Sequence, residues 1–136
     1  MRITREELYI TIAETFAKRS TCGRLQVGCA IVREGRIICC GYNGVLPLSE
    51  SCKCDLTKPC ERAIHAEANA ISYAAKNGVA LRGSTLYVTH SPCLKCAELI
   101  IQAGIKEVIY KELFRDDKGL LLLNHNDIPT FKYEQI

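Results

Sequence analysis

The sequence predicts an α/β fold with a covered sheet, and three observations carry that expectation. Between Ser84 and Tyr110 an apolar strand, a helical stretch and a second apolar strand follow one another, the order of a right-handed βαβ unit with parallel strands. Upstream, residues 27–32 and 36–40 are continuous apolar runs joined at Glu34-Gly35, a hairpin whose lack of alternation implies burial on both faces. Helical signals at 4–19 and 63–76 flank that hairpin and supply the layers that would cover it.

In chain order, Thr4-Arg5-Glu6-Glu7 fits a capping box, and Leu8, Ile12 and Phe16, with Ala13 beside them, repeat at helical spacing up to about Arg19. The hairpin follows. From Gly41 to Arg62 the pattern breaks into Gly, Asn, Pro, Ser and Cys, too long a stretch to be a mere connection, so it is expected to carry function. Ala63 to Lys76 is an alanine-rich helix closing at Asn77-Gly78. Ser84 to Thr89 is a strand, Cys93 to Ala103 a helix ended by Gly104, and Lys106 to Tyr110 the parallel partner strand. Asp116 to Asn124, with its leucine run, reads as a short helix and Thr130 to Tyr133 as a last strand. With 136 residues and 48% hydrophobic content, the chain suits one domain, 1–136, with a real core.

A net charge of +3 with no basic run gives no footprint for nucleic acid, and a small anionic substrate is equally compatible. Met1 to Glu7 has no signal-peptide core, and no apolar run approaches the roughly 20 residues of a membrane span, so a cytoplasmic location without membrane contact is expected. The nine cysteines are odd in number and spaced as metal ligands, which favours reduced thiols over a disulfide scaffold.

The chemistry gathers on Ile64-His65-Ala66-Glu67-Ala68 and Ser91-Pro92-Cys93-Leu94-Lys95-Cys96. One imidazole and two thiolates hold Zn²⁺ while leaving its fourth tetrahedral position open. A carboxylate that is not a ligand, Glu67, then moves protons for a water made acidic by that metal. Within a helix Glu67 would lie about 200° round from His65. His65 is therefore placed at a loop-to-helix junction. Pro92 suits a first helical turn, and the positive end of that helix favours thiolate at Cys93 and Cys96. The plainer alternative makes His65 a buried hydrogen-bonded histidine and the cysteines small hydrophobes. His-x-Glu followed by Pro-Cys-x-x-Cys is, however, the signature shared by zinc nucleobase deaminases. Cys29, Cys39 and Cys40 lie in the apolar hairpin and read as core filler, while His90 and His125 have no partner in the spacing and receive no role.

The chain resembles the deoxycytidylate (dCMP) deaminase family of the cytidine deaminase superfamily. The likeness rests on the two zinc motifs together with Ser20-Thr21-Cys22, Gln26-Val27-Gly28, Gly41-Tyr42-Asn43-Gly44, Asn69-Ala70-Ile71, Leu86-Tyr87-Val88-Thr89 and the run from Ile100 to Lys106. It implies a three-layer α/β/α sandwich on a five-stranded mixed sheet, and hydrolysis of dCMP to dUMP and ammonia with Zn²⁺. It further implies activation by dCTP and inhibition by dTTP bound with Mg²⁺, and a hexamer. By this likeness His65, Cys93 and Cys96 hold the catalytic zinc and Glu67 is the proton carrier. Asn43 is assigned to the sugar 3′ oxygen, Val27 to the base, and Tyr42, Gly44 and Asn69 to the regulatory nucleotide. Phe114 stands where the family usually has a substrate-contacting Tyr.

A phosphate must meet cations or backbone N–H groups. Arg24, Arg62, Lys95 and Arg115 are the candidates, with Arg24 and Arg115 favoured because both flank segments the likeness places at the site. A structural Zn²⁺ on Cys22, Cys52, Cys54 and Cys60 is a separate expectation, since some relatives build one on cysteines matching Cys22 and Cys52. Two rivals remain. One is another deaminase of the superfamily, acting on cytidine, guanine or adenosine in tRNA. The other is a non-catalytic zinc module for nucleic acid, which leaves Glu67 unexplained.

Overall fold

The computed structural model describes residues 1–46 and 63–134. Its elements are α1 (Arg5–Ala17), β1 (Gly28–Arg33), β2 (Arg36–Tyr42), α2 (Ala66–Lys76), β3 (Thr85–His90), α3 (Leu94–Ala103), β4 (Glu107–Glu112), α4 (Lys118–His125) and β5 (Thr130–Lys132). The strands form one five-stranded mixed sheet in the order β2-β1-β3-β4-β5. β1 is antiparallel to both β2 and β3, and β3, β4 and β5 are parallel.

Strand alternation divides the core between the two faces of the sheet. Ile31, Leu86 and Val88 point to the side of α2, α3 and α4, joined there by Ile100, Ile105 and Leu123. Val32 and Tyr87 point to the other side, against Tyr9 and Ile10 of α1. The expected sandwich is present, with a thick three-helix layer opposite α1. Each of the fully buried aliphatic side chains contributes about 1.5–3 kcal/mol through removal from water.

α1 begins as expected, with the Thr4 side chain accepting from Glu7 N at 3.1 Å. Its buried face differs from the expected stripe: Tyr9, Ile10, Ala13 and Ala17 are buried, whereas Leu8 is 39% exposed and Ile12 and Phe16 are only half-buried. The reason is proximity. A Cβ on Gly28 would collide with the α1 backbone at Ala13 and Ala17, so the helix lies directly on β1 through its smallest residues. Apolar spacing alone selects the largest side chains, and here the small ones face the sheet.

The hairpin turns at Glu34 (φ 53°) and Gly35 (φ 75°), the double positive φ of a type I′ turn that matches strand twist. The Tyr9 hydroxyl donates to Gly35 O at 2.7 Å and fastens the turn to α1. β1 is buried on both faces, as expected. β2 is not: it is an edge strand whose Arg36 and Ile37 are exposed, and its apolar character does not bury it. β2 also runs on through Gly41 and Tyr42, which were expected in the loop, and Gly44 bridges to Ile64. α2 accordingly starts at Ala66, three residues later than expected, because Ile64 is held as extended chain.

α2 packs against the sheet through Ala66, Ala70 and Ala74. A Cβ on Gly41 would come within 2.6 Å of Ala66 O, which shows how closely the helix approaches β2. Cys29 and Cys39 do more than fill this seam: their thiols donate to Ala66 O at 3.4 Å and Ala70 O at 3.1 Å. A thiol is small enough for the gap and still satisfies a carbonyl.

Candidate metal centre and nucleotide cavity

Both halves of the candidate site are helix caps. His65 is the N-cap of α2, in extended conformation (φ −65°, ψ 152°), which puts its ring off the helix entrance and Glu67 in the first turn. Cys93 is the N-cap of α3 (φ −73°, ψ 173°), and its Sγ accepts from Cys96 N at 3.5 Å. Cys93 and Pro92 thus stand just outside the helix in which they were expected. The Cys93 sulfur nevertheless receives one of the free N–H groups of the first turn of that helix, that of Cys96.

Three ligand atoms converge. His65 Nδ1 lies 3.4 Å from Cys93 Sγ and 3.4 Å from Cys96 Sγ, and all three atoms lie within 4.8 Å of one another. Tetrahedral zinc with Zn–S of about 2.3 Å and Zn–N of about 2.0–2.1 Å requires N···S separations of about 3.5–3.6 Å. The donor set therefore fits zinc in chemistry and spacing. Among the described residues this is the one group of three or more His, Cys, Asp or Glu side chains with such spacing.

The electrostatics point the same way. The hydrogen bond with Cys96 and the neighbouring His65 draw the Cys93 thiol far below its ordinary value, while the same bond and burial push Cys96 up. His65 is raised, first by its hydrogen bond to Cys93. Glu67 is 4% exposed, and burial pushes its carboxyl up to about 7. A carboxyl poised there can both take and give a proton near neutral pH.

His65, Glu67 and Cys93 line a cavity. Leu25, Val27 and Asn43 line it from the β1 and β2 side, His90, Phe114 and Arg115 from the ends of β3 and β4, and Arg24 and Cys22 also reach it. Asn43 Nδ2 donates to Leu25 O at 2.7 Å, and its Oδ1 accepts from Val27 N at 2.9 Å. Its side chain therefore shapes the wall that carries Val27. Arg115 has φ 54° and places its guanidinium 4.8 Å from the centre of the Phe114 ring. A non-glycine residue held in that region marks a position the surroundings over-determine.

The expected site residues divide. His65, Glu67, Cys93, Val27, Asn43, Phe114, Arg24 and Arg115 share this cavity, and Cys96 completes the donor group. Lys95 is exposed on α3 and is not among the lining residues. Cys22 is buried beside the cavity, whereas Cys52, Cys54, Cys60 and Arg62 lie outside the described residues. Tyr42, Gly44 and Asn69 are absent from the lining and form a brace behind it: Asn69 Nδ2 donates to Tyr42 O at 2.8 Å, and Gly44 and Ile64 exchange backbone bonds at 3.0 and 2.8 Å. His90 was missed. Its Nδ1 is 2.8 Å from Thr89 Oγ1 and it lines the cavity, a place signalled by its position at the carboxyl end of a βαβ strand.

A mixed α/β sheet, a His-Cys-Cys donor group and a buried carboxyl beside it match the site pattern of the zinc nucleobase deaminase class. The family model described as the cytidine and deoxycytidylate deaminase zinc-binding region matches residues 3–112, and the chain belongs to that family. It is 43% identical over 118 residues to ComE operon protein 2 of Bacillus subtilis (strain 168), covering 84% of this chain and 62% of that protein. It is 35% identical over 147 residues to the deoxycytidylate deaminase of Saccharomyces cerevisiae, covering 98% of this chain and 46% of that protein. The chain thus spans less than two thirds of either curated relative. Among solved structures, the dCMP deaminase of cyanophage S-TIM5 in complex with dCMP and dUMP matches with a TM-score of 0.90 and 33% identity, covering 98% of this chain and 99% of that one.

Proposed function

We propose that this protein hydrolyses dCMP to dUMP and ammonia. The observation that carries the reading is the convergence of His65, Cys93 and Cys96 beside the buried Glu67 at one wall of a cavity. The likeness to a phage enzyme solved with dCMP and dUMP supports the choice of substrate. Zinc held by the three ligands would lower the pKa of a water to about 7. Glu67 takes the proton from the attacking water and delivers it to N3 of cytosine as C4 is attacked. It then carries the second proton to the amine, which departs as ammonia. Val27 and Phe114 hold the base, Asn43 fixes the wall beside the sugar, and Arg24 and Arg115 meet the phosphate with charge-assisted bonds.

The same reading takes residues 1–136 as one cytoplasmic deaminase domain acting in a homo-hexamer. It includes feedback by dCTP and dTTP with Mg²⁺ through the region of Tyr42, Gly44 and Asn69, and a structural zinc on Cys22, Cys52, Cys54 and Cys60. About two zinc ions per chain are expected on that last point, and one would refute it.

Ammonia release from dCMP and from deoxycytidine by the zinc-loaded protein tests the proposal. Turnover of dCMP alone is expected; equal turnover of both would assign the chain to another substrate class. Glu67→Gln is expected to lower the rate by about 10²–10⁴-fold with zinc retained. Unchanged activity would remove Glu67 from the mechanism.

A further inference from the structure

Gly119 stands in the first turn of α4 without the positive φ that usually calls for glycine. Space is what requires it. A Cβ built there would overlap Pro92 O and lie 2.9 Å from both Pro92 C and Cys93 O. The α4 backbone therefore rests directly on the peptide that joins Pro92 to Cys93. On its other side the same short segment is tied to the end of β4: Ser91 N donates to Glu112 O at 2.8 Å, and Ser91 Oγ accepts from Phe114 N at 2.8 Å. Ser91 is 2% exposed and Pro92 is fully buried. The segment is gripped from two sides, by hydrogen bonds and by a helix too close to admit a methyl group.

We infer that Gly119 is a positioning residue for the metal centre, seating Cys93 by the direct approach of α4 to the Pro92–Cys93 peptide. A methyl group at this position cannot be absorbed by a side-chain rotation, because the atoms it meets are backbone. Either the peptide turns, which moves Cys93 Sγ relative to His65 Nδ1 and Cys96 Sγ, or α4 lifts, which removes the contact that seats Cys93. A three-ligand site tolerates little such movement, and groups that orient ligands typically control about 10–100-fold in metal affinity. The inference rests on reading His65, Cys93 and Cys96 as metal ligands, and it does not depend on which nucleotide is deaminated.

The test compares Gly119→Ala with Gly28→Ala, which creates the same kind of backbone collision between α1 and β1. Zinc affinity is measured by chelator competition, and the ligand set by the thiolate charge-transfer and d–d bands of the Co²⁺-loaded protein. Both variants should be less stable to heat. Gly119→Ala alone should lose about 10-fold or more in zinc affinity and show altered Co²⁺ bands. Wild-type affinity and bands in Gly119→Ala, or the same loss in Gly28→Ala, would overturn the inference. Should Gly119→Ala not fold, Asp116→Ala decides. Asp116 Oδ1 accepts from Lys118 N at 3.0 Å on the exposed surface, and its loss loosens the first turn of α4 without adding an atom. A several-fold drop in zinc affinity is then expected, and no drop refutes the seating role. Failure of the parent protein to bind zinc would instead sink the metal-site reading itself.

Discussion

Asn43→Ala separates a structural use of this side chain from a use in substrate binding. The amide makes two bonds to the main chain, Nδ2 to Leu25 O at 2.7 Å and Val27 N to Oδ1 at 2.9 Å. Truncation leaves one backbone acceptor and one backbone donor without these partners. Each fully buried orphan costs about 1–3 kcal/mol. Leu25 and Val27 are half-buried, so water partly replaces the amide and the sum should fall to about 2–3 kcal/mol. Asn43→Asp keeps the acceptor for Val27 N–H but sets a carboxylate oxygen against Leu25 O at a position only 7% exposed, so at neutral pH it should cost at least as much as alanine. Urea unfolding of the parent and both variants, with unchanged m, gives the comparison directly. In parallel, KM for dCMP should rise in Asn43→Ala because the wall carrying Val27 is released. A stability change within about 0.5 kcal/mol, the range of a neutral surface substitution, would refute the assignment of the amide to Leu25 and Val27.

Arg115→Ala should raise KM for dCMP by about 10-fold or more, the worth of a hydrogen bond to a charged group, while any residual turnover of deoxycytidine stays unchanged. An equal effect on both substrates would show that Arg115 shapes the cavity through Phe114 and does not read phosphate. Ala70→Leu forces three carbons into the seam where α2 meets Gly41, so a loss of about 1–3 kcal/mol in denaturant unfolding is expected. Because the same helix carries Glu67, activity should fall with it; full activity would mean that the α2 entrance is held independently of this seam.

The sheet, the order of its elements and the convergence of His65, Cys93 and Cys96 were legible because each leaves a local mark. A βαβ alternation, a Glu-Gly turn and two short motifs can be read without knowing what packs where. The angular argument about His65 and Glu67 set the histidine at a loop-to-helix junction, and it is the N-cap, whereas the alanine pattern had begun the helix at Ala63. The parts that escaped depend on distant neighbours. The stripe expected on α1 was Leu8, Ile12 and Phe16 with Ala13 beside them; of these the sheet takes Ala13, together with Ala17, because Gly28 draws the backbones together. β2 has the composition of an interior strand and lies at the edge, since pairing order is not written in hydrophobicity. His90 carried no spacing signal, and only the turn of the chain after β4 brings Phe114 to within 6.4 Å of it.

The imidazole and the two sulfurs come from separate halves of the fold: His65 follows the β1–β2 hairpin, and the cysteines sit within the β3–α3–β4 unit. The direct link between these halves in the sheet is the β1–β3 ladder of four residue pairs from Cys29 to Val32. An ion gripped by all three side chains would act as a rivet across that seam, closing a span of 28 residues between His65 and Cys93. Resistance to unfolding then becomes a function of free zinc, because any species that binds only the folded chain adds to its stability in proportion to the logarithm of its concentration. Such an enzyme would couple its survival to the supply of the metal it needs for turnover.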